Sequence, residues 1–102
     1  MKNEMSQVAS TILSQLGGPR IRAMIGATAF LFDEDSLTVK FQARAAKRAN
    51  TLIVRLADND LYEVQLWSCR GTTVKQTASV SGVDASSLRR VVETESQLRL
   101  SL

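Results

Sequence analysis

Histidine is missing from all 102 residues. That one absence removes Ser-His-Asp and Cys-His catalysis and the common zinc sites together. Cysteine occurs once, as Cys69, so no intramolecular disulfide can form. With a polar start, MKNEMSQVAS, that has no signal-like apolar stretch, this sets the expectation of a reducing, cytoplasmic location. One proline and five glycines argue against linkers and low complexity. No apolar run approaches the roughly 18 residues needed to span a bilayer, and the first helix candidate lacks a basic polar face, so no membrane association is expected. There is no GxGxxG and no Walker loop. Gly17, Gly18 and Gly26 are spaced for helix ends rather than for a phosphate cradle, and no cofactor is expected.

What is present is ordinary globular usage, 44% hydrophobic and 23% charged, on a chain sized for a single domain, 1-102. Thirteen Lys+Arg against ten Asp+Glu leave +3 and a pI near 9.5. That balance permits contact with nucleic acid or an acidic protein without demanding it.

Met5, Val8, Ile12 and Leu16 recur at three and four, widened by Ala9 and Leu13, which predicts a helix over 5–16 ending at Gly17-Gly18. Its polar face, including Ser10, Thr11 and Ser14, carries no charge. GPRIRAMIGA predicts a short helical turn or two. From Ala27 the period becomes two. ATAFLF, LTVKFQ, TLIVRLA, LYEVQLWSC and the more polar TTVKQTASV read as strands, joined by DEDS, the basic loop ARAAKRAN, DND and Arg70-Gly71. Asp84 reads as the N-cap of a last helix, with Val83 stapling onto Leu88 and a buried side at Leu88, Val91, Val92 and Leu98. The tail alternates Leu98, Leu100 and Leu102, as a short strand or a segment tucked under the core. The expected fold is therefore α+β: an N-terminal helix, a mainly antiparallel meander of four or five strands and a C-terminal helix, with both long helices on one sheet face.

Cys69 could serve as a reactive thiol, but only Arg70 lies near it in sequence to activate it, and a structural cysteine in a strand is the better reading. Asp33, Glu34 and Asp35, and separately Asp58 and Asp60, invite a metal or acid–base reading. The first run lacks the glycine and distal glutamate of a calcium loop, and Asp and Asn are what tight turns select, so no metal site is expected. The uncovered sheet face is expected to present Lys40, Gln42, Ile53, Arg55, Glu63, Gln65, Trp67, Lys75 and Thr77, beside the basic loop residues Arg44, Lys47 and Arg48. Such a face could stack and neutralise a nucleic-acid strand, though a single Trp is thin for that purpose and the RNP signature is missing. Trp67 with Ile53 alternatively forms an apolar spot for a partner or a second copy. A bulge near Ser68 would turn Trp67 inward and remove it.

GGPRIRAMIGATAFLF, DEDSLTVKFQ, DLYEVQL and GVDASSLRRVVETESQLRLSL resemble, along nearly the whole chain, a group of short uncharacterised proteins from bacterial genomes, phages and mobile elements. The resemblance implies a free-standing small protein and transfers no catalytic or binding residue. The expectation is a non-enzymatic binding module engaging a protein partner or itself through the open sheet face or the first helix. The alternative is a nucleic-acid binder using Lys40, Arg44, Lys47, Arg48, Arg55 and Lys75. A small enzyme using Cys69 or paired carboxylates is the remaining class.

Overall fold

Two periodicities organise the chain in the computed structural model, which describes residues 7–98. Helix α1 (Gln7–Leu16) buries Ala9, Ile12 and Leu16, with Val8 and Leu13 half-buried beside them. Met5 of the expected stripe, and Leu100 and Leu102 of the tail, lie outside the described residues. A 3₁₀ turn (Gly18–Arg20) leads into α2 (Ile21–Ile25), which buries Ile21 and Ile25. Gly26 ends α2 at φ 65°, its N–H bonded to Arg22 O. A side chain is disfavoured in that left-handed conformation, and an added Cβ would meet the Gln42 Cβ at 3.5 Å.

Five strands follow: β1 (Ala27–Phe32), β2 (Ser36–Phe41), β3 (Thr51–Leu56), β4 (Tyr62–Arg70) and β5 (Thr73–Val83). They form one sheet in sequence order, every neighbour antiparallel. The fold is thus the expected α+β meander between helices. Across the sheet, Val39 lies opposite Leu52, and Leu52 opposite Leu66. Leu37, Val54 and Val64 make the next row. These side chains are at most 1–2% exposed and join the buried residues of α1, α2 and α3 in one cluster. Helices α1 and α3 also touch each other.

The edge strands are irregular. Thr28 is an extra residue in β1, because Ala27 pairs with Phe41 while Ala29 pairs with Lys40. In β5 the register slips twice, once beside Gly82 at φ 70° and once at Thr77. Bulges twist an edge away from further pairing, which keeps exposed strands from stacking on other chains.

Helix α3 (Leu88–Ser96) starts later than the Asp84 cap suggests. Asp84 Oδ1 accepts from Ser87 N (2.9 Å) and from Ser86 Oγ (2.9 Å), so it caps the turn 84–87 instead of the helix itself. Residue Leu88 is then the first helical residue rather than the fourth, and it is buried with Val83 and Val92. At the other end Ser96 Oγ donates to Val92 O (2.6 Å) and accepts from Leu98 N (3.1 Å), which satisfies a fully buried hydroxyl.

Candidate functional site

An antiparallel meander sends its connections alternately to opposite ends of the sheet. Here that sorts charge. The β1–β2 and β3–β4 connections carry Asp33, Glu34, Asp35, Asp58 and Asp60, and β5 runs to the same end, where Asp84 follows. The β2–β3 and β4–β5 connections, with the residues flanking them, bring Arg44, Lys47, Arg48, Arg70 and Lys75 to the other.

The basic loop between β2 and β3 is held at both ends. Gln42 N and Ala43 N donate to Gly26 O and Ile25 O, each at 3.0 Å, tying the loop's start to α2. Asn50 closes it. Its N–H donates to Trp67 O (2.9 Å) and its carbonyl accepts from Phe41 N (3.0 Å). Its side-chain amide donates to Cys69 O (2.8 Å) and accepts from Cys69 N (2.9 Å). Ala45 and Ala49 are buried anchors, while Arg44, Lys47 and Arg48 stay exposed between and beside them. A 3₁₀ turn (Ala46–Arg48) forms the tip, with Lys47 at φ 55° and Arg48 at φ 61°. Two successive side chains in the left-handed region cost about 1–2 kcal/mol each, so packing elsewhere must hold them there.

A cleft of about 620 Å³ opens between this loop and the end of β4, and Arg44, Arg48 and Arg70 line it. Arg70 is fixed across it, Nη2 donating to Arg48 O at 3.0 Å. An adjoining groove of about 450 Å³ is lined by Lys47, Arg48, Lys75, Gln76 and Thr77, so Arg48 belongs to both. Among the described residues no carboxylate lies within ion-pair distance of any of these five cations. Unpaired cations around a concavity focus a positive potential there.

The candidate partner residues therefore divide into two groups. Lys40, Ile53, Arg55, Gln65 and Trp67 share the face opposite the core, by strand alternation and cross-strand pairing. Its polar groups largely satisfy one another. Arg55 pairs with Glu63 directly opposite (Nη2 to Oε1, 3.0 Å), and Trp67 Nε1 donates to Gln65 Oε1 (3.0 Å). Ile53 and Trp67 are half-buried. The bulge that could have turned Trp67 inward falls in β5 at Thr77, not in β4 near Ser68, so Trp67 keeps its place on the open face.

The same bulge corrects the placement of Lys75 and Thr77. Because Trp67 pairs with Gln76 and Ser68 with Lys75, it is Gln76 that joins the open face, and Lys75 alternates to the other. Thr77 is the extra residue, its Oγ1 donating to Leu66 O (3.2 Å). Lys75 thereby joins Arg44, Lys47 and Arg48 at the basic end. Arg70, expected at the turn into the fifth strand and beside Cys69 but not among the partner residues, joins them too. The available signal was the parity of the connections, since β4 finishes, at Arg70, at the same end of the sheet as the ARAAKRAN loop.

Cys69 is a half-buried free thiol, its Sγ 3.7 Å from the donating Thr51 Oγ1. The acidic runs behave as turns. Asp33 N donates to Ser36 O (3.1 Å), Asn59 Oδ1 accepts from Leu61 N (3.2 Å), and Asp60 sits at φ 63°. Among the described residues no three His, Cys, Asp or Glu side chains converge. No described helix is long and apolar enough to cross a membrane.

No protein-family model matches the chain, and no curated protein or solved structure is significantly similar to it.

Proposed function

We propose that this chain is a non-enzymatic binding module whose ligand is nucleic acid, held by its phosphate backbone along the basic end. One observation carries the reading: Arg44, Lys47, Arg48, Arg70 and Lys75 come from three separate segments to two adjoining grooves with no carboxylate among the described residues that line them. The acidic turns at the far end add to it, because a polyanion meets attraction at one end and repulsion at the other, so the molecule approaches in one orientation. With no aromatic side chain exposed among the described residues that line either groove, the contact is to phosphate rather than to bases, and little sequence preference is expected. A cytoplasmic setting fits this reading, since Cys69 is an unpaired thiol.

Counterion release gives the test its size. If all five cations each neutralise a phosphate, log K for a single strand falls with log salt at a slope of about −3.5. Changing Arg44, Lys47 and Arg48 together to Glu should abolish retention on DNA and RNA at low salt. Retention equal to that of the unaltered protein sinks the proposal.

A second reading, a protein partner or second copy on the open face, is favoured by Val74. It is 62% exposed and pairs with Cys69, next to the row holding Trp67. It predicts a dimer mass in solution that Trp67→Lys reduces, and a strictly monomeric mass at high concentration counts against it.

A further inference from the structure

The five cations are not equivalent. Lys47 and Lys75 line the outer groove as flexible point charges, each strongly hydrated, and their attraction for phosphate is long-ranged and screened. The larger cleft is built differently. Its walls include Phe41, Ala45 and Ala49, each under 10% exposed and part of the core cluster, so the arginines project from a floor anchored in the core. Its cations are all arginines, each with a planar fork of donors that matches two oxygens of a phosphate at once.

Arg70 is also positioned. Its guanidinium bond to Arg48 O pins a residue of β4 to a carbonyl 22 positions earlier in the chain. Only one of its five N–H groups is used there, and the rest remain to donate. The carbonyl it grips belongs to a residue with left-handed backbone, so the strained turn and the guanidinium hold each other. A volume of about 620 Å³ lies within the range of small-molecule sites, and it admits a phosphate together with part of whatever carries it.

We infer that the Arg44–Arg48–Arg70 cleft is a discrete phosphate seat, saturable and one to a molecule, while Lys47 and Lys75 supply only diffuse attraction. The inference rests on the nucleic-acid reading for its source of phosphate, which is either an internal phosphodiester or a terminal monoester of the strand.

The test titrates the full chain with inorganic phosphate at constant ionic strength, chloride replacing phosphate in the control, and follows amide shifts by NMR. Expected is saturation with one site, the shifts concentrated in residues 43–50 and at Arg70. Arg70→Gln should weaken phosphate about tenfold, and Arg70→Lys, which keeps the charge but loses the fork, should fall between. Lys75→Gln should leave phosphate affinity within about twofold while weakening a single-stranded oligonucleotide. Thermal melts check that each variant folds, and Arg44→Gln, in the same cleft and exposed, replaces any that does not. Shifts that stay linear and match chloride overturn the seat, as does equal loss in Arg70→Gln and Lys75→Gln.

Oligonucleotides with and without a 5′-phosphate identify the source. Equal affinity assigns the seat to internal phosphodiesters, and a gain with the 5′-phosphate assigns it to the strand end. If oligonucleotides bind with the expected salt slope while phosphate never saturates, the seat falls and the nucleic-acid reading stands. If phosphate saturates but no oligonucleotide binds, the seat stands and that reading falls.

Discussion

Asn50 and Cys69 form a strand pair in which one partner is a side chain. The Asn50 amide donates to Cys69 O at 2.8 Å and accepts from Cys69 N at 2.9 Å, supplying both bonds that a β3 residue would have made had the strand begun earlier. The β2–β3 loop can therefore leave the sheet without orphaning the main chain of β4, and it leaves at the place where its arginines face Arg70.

Asn50→Ala removes both bonds and strands a half-buried N–H and C=O. A loss of about 2–3 kcal/mol is expected, read as a lower urea midpoint at unchanged m. Asn50→Asp keeps the acceptor, loses the donor and sets a carboxylate against the Cys69 carbonyl, so it should recover less than half of that loss.

Lys47 sits at φ 55°, a region glycine occupies without strain. Lys47→Gly should raise stability by about 0.5–1 kcal/mol, the relief of strain less the entropy glycine adds to the unfolded chain. The same change should lower the salt slope of nucleic-acid binding by up to about 1. A variant more stable yet weaker in binding would mark the strain as retained for the ligand. One that loses stability shows the turn is not strained at Lys47.

Gln15 buries its Oε1 with no hydrogen-bond partner among the described residues. Gln15→Met keeps the length of the side chain and removes the unsatisfied oxygen. An increase of about 1 kcal/mol in unfolding free energy is expected, measured by urea denaturation. A decrease would mean that the oxygen is solvated in solution.

Asp84 is held below its usual 3.8 by the hydrogen bonds it accepts from Ser86 and Ser87, with Arg90 adding a smaller attraction. A carboxylate depressed in the folded state stabilises above its unfolded value, and that contribution disappears as pH falls through the folded one. The unaltered protein should therefore lose more stability than Asp84→Asn when pH is lowered from about 5 to 2. The difference between their melting temperatures should narrow over that window, and a constant difference would remove Asp84 as the cause.

Much of the fold was legible because it depends on local pattern. Ile12 and Leu16 at helical spacing, and the alternation Leu37, Val39, Phe41, name their buried faces without a partner in view, and all five are under 5% exposed. Gly26 ends α2 where its freedom of backbone is needed. Asp84 was recognisable as a cap, but which turn it capped was not, since a helix start moves by a turn at little cost in local preference. The candidate site was only half legible. Arg44, Lys47 and Arg48 are contiguous enough to be seen together, whereas Lys75 was assigned to the wrong face because a bulge belongs to a pair of strands and leaves no mark on one of them alone.

By itself, then, the sequence determined the elements, their order and the inward side of the three central strands, because these follow from periodicity and from turn residues within a few positions of one another. Only the tertiary structure decided that acidic turns gather at one end of the sheet and basic ones at the other. That sorting depends on every strand pairing with its neighbour in sequence order, and it is this pairing that brings Arg70 across to Arg48.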